Sequence, residues 1–163
     1  MWSPDRRSFL LAALIPLAGC GFTPAYGTNG RANALRGAVR VDDPTDPETY
    51  AFLARVEEVL GPPDSPRYAL SYRIRTKEWG VSISRDNLTS RYQLFGEVAY
   101  AVKDLTTGQQ VHSGTGSNFV GYSGLGSAVS SRAAKVDGEK RLMRQLADQV
   151  TEQLIATYGN WKA

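Results

Sequence analysis

The sequence holds one cysteine and one histidine in 163 residues. A disulfide framework needs paired cysteines, and a zinc site or a thiol–imidazole catalytic pair needs more than Cys20 and His112 can supply. Long hydrophobic runs are missing as well. The apolar stretch Phe9 to Ala18 is half of the about 20 residues that cross a hydrocarbon core. Charge of one sign is scarce: 19 Lys and Arg against 16 Asp and Glu leave +3. That excess is too small and scattered for a nucleic-acid footprint, although it suits an anionic surface. Catalysis needs a nucleophile with a base, carboxylates paired in a pocket, or a metal. His112 stands beside Val111 with no acidic neighbour and reads as a strand-surface residue. The acidic doublets Asp42-Asp43 and Glu57-Glu58 read as turn and helix-surface residues. No enzyme is expected. A 42% hydrophobic and 21% charged composition fits a single globular domain.

What is present begins at the N-terminus. Arg6-Arg7 precede the short apolar run, and Leu17-Ala18-Gly19-Cys20 closes it. The positive and apolar segments together read as a secretory signal over residues 1–19. The closing four residues form a lipobox, in which small side chains fit a narrow peptidase site and the Cys20 thiol can carry a diacylglycerol. Several acyl chains, each contributing about 0.8 kcal/mol per buried CH₂, make such an anchor stable. Arg6-Arg7-Ser8-Phe9-Leu10 also resembles a twin-arginine export signal, so both export routes stay open. The residue after Cys20 is Gly21 and not Asp, which points to the periplasmic face of an outer membrane. Residues 20–34, rich in Gly and small polar side chains, read as a lipidated tether. Residues 35–163 then form one α+β domain.

Within that domain, Leu35 to Val41 offers a short strand. Asp46 and Pro47 carry the start signals of a helix whose apolar positions Phe52, Leu53, Val56, Val59 and Leu60 share one side. Gly61-Pro62-Pro63 ends it. The period then becomes two, with Tyr68, Leu70, Tyr72 and Ile74 on one face and Ser71, Arg73 and Arg75 on the other. Gly80 marks a possible bulge site, and Arg85-Asp86-Asn87 suits a hairpin tip. Tyr92, Leu94, Gly96, Val98, Tyr100 and Val102 alternate on the return. A strand from Gln109 to about Phe119 completes an antiparallel meander. Ser113 to Ser131, dominated by Gly and Ser, predicts that this strand fades into a loop. Gly121 to Gly126 has neither the spacing nor the preceding buried strand of a dinucleotide turn. A last helix from about Ser130 to Tyr158 carries an apolar stripe from Leu142 to Tyr158, with looser first turns because of Gly138. The predicted architecture is a β-α-β-β-β-α two-layer sandwich, a small mixed or antiparallel sheet with both helices on one face. Few apolar side chains are expected on the other face, which is left for solvent, a barrel wall or a lipid.

Cys20-Gly21-Phe22-Thr23-Pro24-Ala25-Tyr26-Gly27, Ser90-Arg91-Tyr92-Gln93-Leu94 and the Ala134 to Leu154 helix together resemble the lipopolysaccharide-assembly lipoprotein LptE family of alphaproteobacterial type. The resemblance implies a partner, the outer-membrane β-barrel LptD, whose lumen the family occupies and helps assemble. It also implies delivery of lipopolysaccharide to the outer leaflet, with no covalent chemistry and no cofactor beyond the lipid on Cys20. Basic family positions match Arg85 and Lys135 here, and Arg91 is a third candidate from the same hairpin. Lipid A phosphates are the group such cations would bind. A different reading of the same anchor and small α/β domain is an auxiliary lipoprotein of an ABC-type phospholipid transport system. Cys20→Ala should leave a foldable domain that no longer sediments with membranes; cell fractionation checks this, and unchanged membrane recovery of the lipid-free form would contradict the anchor.

Overall fold

The computed structural model describes residues 27, 30–83 and 89–161. The elements in chain order are helix α1 (Arg31–Leu35), strand β1 (Val39–Val41), helix α2 (Pro47–Leu60), strands β2 (Tyr68–Ile83), β3 (Thr89–Asp104) and β4 (Gln110–Ser123), and helix α3 (Ala128–Thr157). A short 3-10 turn, Tyr158–Asn160, follows α3. The strands form one sheet in the order β1-β2-β3-β4. β1 runs parallel to β2 beside Tyr68–Leu70, and the other pairs are antiparallel. The fold is α+β, with the mixed sheet packed against α2 and the long α3.

Local chemistry accounts for these elements. Asp46 Oδ1 accepts the Thr49 N–H at 2.7 Å, and Thr49 Oγ1 accepts the Asp46 N–H at 3.1 Å. This reciprocal cap satisfies donors that a helix start leaves open, and Pro47 in the first turn needs none. Those bonds to Thr49 hold the Asp46 carboxyl below the usual carboxylate range. At the β3–β4 turn, Asp104 accepts the N–H groups of Thr106 and Thr107 at 2.7 and 3.2 Å and pairs with Arg67. The register of β2 shifts between Gly80 and Ser82, where the sequence suggested a bulge.

The even-numbered residues of all three long strands face the helices. Leu70, Leu94, Val98, Tyr100, Val102 and Val120 meet Phe52, Val56 and Leu60 of α2 and Leu142, Met143, Leu146, Val150 and Leu154 of α3 in one core. Arg55 bridges the two helices through Asp148 at 2.7 Å. The opposite end of the core is aromatic: Tyr68 meets Tyr158 and Trp161 edge-on at 6.1 and 5.4 Å. Arg31 Nη1 donates to the Ala156 carbonyl at 2.8 Å, fixing α1 to the C-terminal end of α3.

Three expectations change. Leu35 belongs to α1 and is fully buried instead of opening a strand, because β1 needs only the Val-Arg-Val alternation of its three residues. The Gly/Ser-rich stretch stays in the sheet through Ser123: its glycines face either α3, where bulk would not fit, or an open surface where none is needed. Gly138 does not loosen α3, which is continuous from Ala128. It lies at a close helix–sheet approach, where a Cβ would stand 3.2 Å from Leu94 Cδ1. Gly96 answers it on β3, since a Cβ there would stand 2.9 Å from Leu146 and 3.1 Å from Leu142. Gly96→Val should therefore destabilise the fold by about 2 kcal/mol through overpacking, whereas Gly121→Ala, whose Cβ would meet nothing nearer than the Tyr92 carbonyl at 3.8 Å, should be close to neutral. Urea denaturation of the two variants separates them.

Candidate functional site

Both helices cover one face of the sheet, so odd-numbered strand residues make up the other. Along β2 this face carries Arg73, Arg75, Lys77 and Trp79; along β3, Arg91, Gln93, Phe95 and Glu97; along β4, Thr115, Ser117 and Phe119. The register sets Lys77, Phe95 and Phe119 in one cross-strand row, and Arg75, Glu97 and Ser117 in the next. Trp79 and Phe95 lie 6.2 Å apart, ring to ring. Side chains of this kind are normally buried, yet Phe119 is 61% and Trp79 43% exposed, and Val81 at the bulge is 48% exposed. The aromatic cluster therefore sits beside the cations of β2 with Glu97 as the neighbouring acid. Toward the other end the face flattens into a shallow depression of about 520 Å³ bordered by Ser71, Arg73, Arg75, Glu97, Ala99 and Ala101.

This patch corrects the expectation of an open face with few apolar side chains. The signal was in the sequence as Lys77-x-Trp79-x-Val81 and Phe95, at period two. Placing the bulge beside Trp79 and ending β4 at Phe119 hid it.

The structure separates the candidate cations. Cys20 and Arg85 lie outside the described residues. Arg91 is exposed on the open face with the aromatic cluster. Lys135 lies in the helix layer on the other side of the sheet, where its Nζ pairs with Glu78 Oε2 at 2.6 Å and reaches Glu139 at 4.0 Å. The bond to Glu78 raises the Lys135 pKa. Lys135 thus ties α3 to β2, while Arg91 is available at the aromatic patch.

His112 is not a surface residue. It is half-buried on the helix face, stacked on Trp161 with ring centres 5.6 Å apart. Its Nε2 lies 3.3 Å from Tyr100 Oη and 3.4 Å from Thr157 Oγ1. Tyr100 in turn donates to Gln153 at 2.7 Å. These contacts lock β4 to the C-terminal turn and describe a packing role. Among the described residues, no three His, Cys, Asp or Glu side chains gather into a group suited to a metal.

The sequence matches no protein-family model and no curated protein. Its fold is shared with solved structures of small bacterial lipoproteins. A candidate lipoprotein of Caulobacter crescentus CB15 superimposes with a TM-score of 0.66 at 18% identity, over 80% of this chain and 98% of that one. Rare lipoprotein B of Shewanella oneidensis gives 0.57 at 14% identity, over 77% and 98%. A minor lipoprotein of Acinetobacter baumannii gives 0.53 at 15%, over 74% and 90%. At these identities the likeness is one of fold.

Burial holds the His112 pKa below its ordinary 6.5. As pH falls through about 6.5, the unfolded chain takes up a proton that the folded one refuses, so stability declines on acidification. Urea midpoints measured from about pH 7.5 down to about pH 5, above the range where carboxylates titrate, should fall for the native chain. They should stay nearly level for His112→Phe.

Proposed function

We propose that the chain is a lipid-anchored envelope protein that seats in an outer-membrane β-barrel of the LptD kind and assists the passage of lipopolysaccharide. The observation that carries this reading is the open sheet face, where exposed aromatic rings adjoin Arg73, Arg75, Lys77 and Arg91. Lipid A joins phosphates to acyl chains, and a face of adjacent cations and rings is complementary to both. Shape supports the same reading. A 30-residue α3 is about 45 Å long at 1.5 Å per residue, more than the about 30 Å of a hydrocarbon core. A barrel lumen is polar, which suits the Ser, Thr and Arg that fill the rest of the open face. The anchor would be the lipid on Cys20.

The auxiliary lipoprotein of an ABC-type phospholipid transport system is the second reading, and the comparisons favour it. The matched structures are described as lipoproteins, and the second reading asks for a lipoprotein without a barrel. Phospholipids are anionic amphiphiles too, and would meet the same face.

Two measurements decide. Affinity purification of the lipidated, C-terminally tagged protein in detergent, with mass spectrometry of what stays bound, should recover a large β-barrel in stoichiometric amount. Recovery of an ABC transporter in its place would establish the second reading. Purified domain should bind lipopolysaccharide, and Arg91→Glu with Trp79→Ala should weaken binding by about tenfold or more. Lys135→Gln should instead lower stability, because it unties Glu78. Equal binding by the native and doubly substituted domains would remove the open face from the site.

A further inference from the structure

The two long edges of the sheet are built differently. β2 lacks a neighbouring strand beyond Leu70 among the described residues, and there it carries Arg73, Arg75, Lys77 and Glu78 and ends in a bulge. Charges and bulges are how edge strands resist pairing with other chains. β4, the opposite edge, reads QVHSGTGSNFVGYS over 14 residues, with no Asp, Glu, Lys, Arg or Pro. At about 3.4 Å per residue it offers some 45 Å of edge, far beyond an average strand.

The free side of β4 can be assigned. Phe119 N–H is taken by the Asn118 side chain at 2.8 Å, and the Thr115 carbonyl accepts from Gln153 Nε2 at 3.3 Å. In an antiparallel ladder the N–H and C=O of one residue point the same way and alternate along the strand. The backbone groups of Ser113, Thr115, Ser117, Phe119 and Gly121 therefore point away from β3. Asn118 and Gln153 act as side-chain stand-ins at two of these positions. Only an extended backbone repeats donors and acceptors at the spacing that the whole row requires.

We propose that the β4 edge receives an extended segment of another polypeptide, which adds a fifth strand to the sheet. Resting on the barrel reading above, that segment comes from the barrel partner. A closed barrel has no free edge among its wall strands, so the segment is a loop or terminus of the barrel chain inside the lumen. A second copy of this chain fits worse. Antiparallel pairing through β4 places strands about 4.8 Å apart and both α3 helices on one face of the joined sheet, with Gln149 and Gln153 of α3 already lying over Gly116 and Thr115 of that edge. Gln149 and Gln153, with Gln145 and Glu152 at helical spacing beside them, would then be pressed together and stripped of water. A lone strand carries no helix and meets no such seam.

The test places a photo-cross-linking amino acid singly at Ser113, Ser117 and Gly121 of the full lipidated chain in its native envelope, with Arg75 as the guarded-edge control. Pairing predicts that all three sites cross-link to one barrel segment, each contact advancing along that segment in step with the advance along β4. Ser117→Pro removes an outward N–H without breaking the β3 ladder, and should cut the Ser113 and Gly121 cross-links by about tenfold. Ser117→Lys, which keeps the backbone intact, should do the same if the proline variant fails to fold. Cross-links to a second copy, to scattered sites, or from Arg75 to the same barrel segment would overturn the proposal. Co-purification of the barrel without stepped cross-links sinks the edge pairing alone, whereas loss of the barrel itself sinks the reading beneath it.

Discussion

The seating of α3 on the sheet at Gly96 and Gly138 is the contact on which the other features depend. Leu142 and Leu146 press into the space left by Gly96, and Leu94 into that left by Gly138. Because these contacts and that of Gln149 with Gly116 advance together along α3, β3 and β4, the helix lies lengthwise over those two strands. Lengthwise seating makes an elongated body from a small domain. It also commits the apolar stripe of α3 to one face of the sheet, and Arg55–Asp148 draws α2 onto the same face. The other face is left without a covering layer.

An uncovered sheet face normally reads as polar alternation. Here the alternation holds for Ser71, Arg73 and Arg75 and then breaks at Trp79, Val81, Phe95 and Phe119. Their rings and side chain, exposed or, at Phe95, half-buried on the open face, gain nothing from the core, which is already closed by the even-numbered residues. Apolar surface of this kind, rimmed by cations, is the type that marks ligand and partner sites in folded proteins generally. The same division between guarded and unguarded surface recurs at the edges, charged along β2 and neutral along β4.

Much of this was legible from spacing. Asp46-Pro47 marked the start of α2, the switch to period two at Tyr68 marked β2, and the stripe from Leu142 to Tyr158 marked the buried side of α3. Each depends on neighbours close in sequence, where a local rule suffices. The misreadings share one cause, which is that the deciding partner is distant. Gly114 and Gly116 look like loop residues until Tyr100 and Gln149 are seen to occupy the space above them. Gly138 looks like a defect until Leu94 stands opposite, and Leu35 looks like strand until α2 and α3 close over it. The site was read least well because Trp79 and Phe119 belong to different strands, and only the register brings them to one surface. Lys135 was recognised as a notable cation, but its partner Glu78 lies 57 positions earlier, beyond any local pattern.

The bond from Arg31 to Ala156 has a geometric consequence for an anchored molecule. It pins the start of the folded domain at the C-terminal end of α3, whereas the aromatic patch lies farther along, level with Gly138 to Leu146 on the other side of the sheet. Gly30 lies ten positions after Cys20, a reach of at most about 35 Å, shorter than the helix itself. A lipid on Cys20 would hold the domain from that end. Lying down, it lays its rings along the leaflet that holds it. Standing up, it carries them clear of that leaflet, so that tilt sets how far the rings stand from the membrane surface.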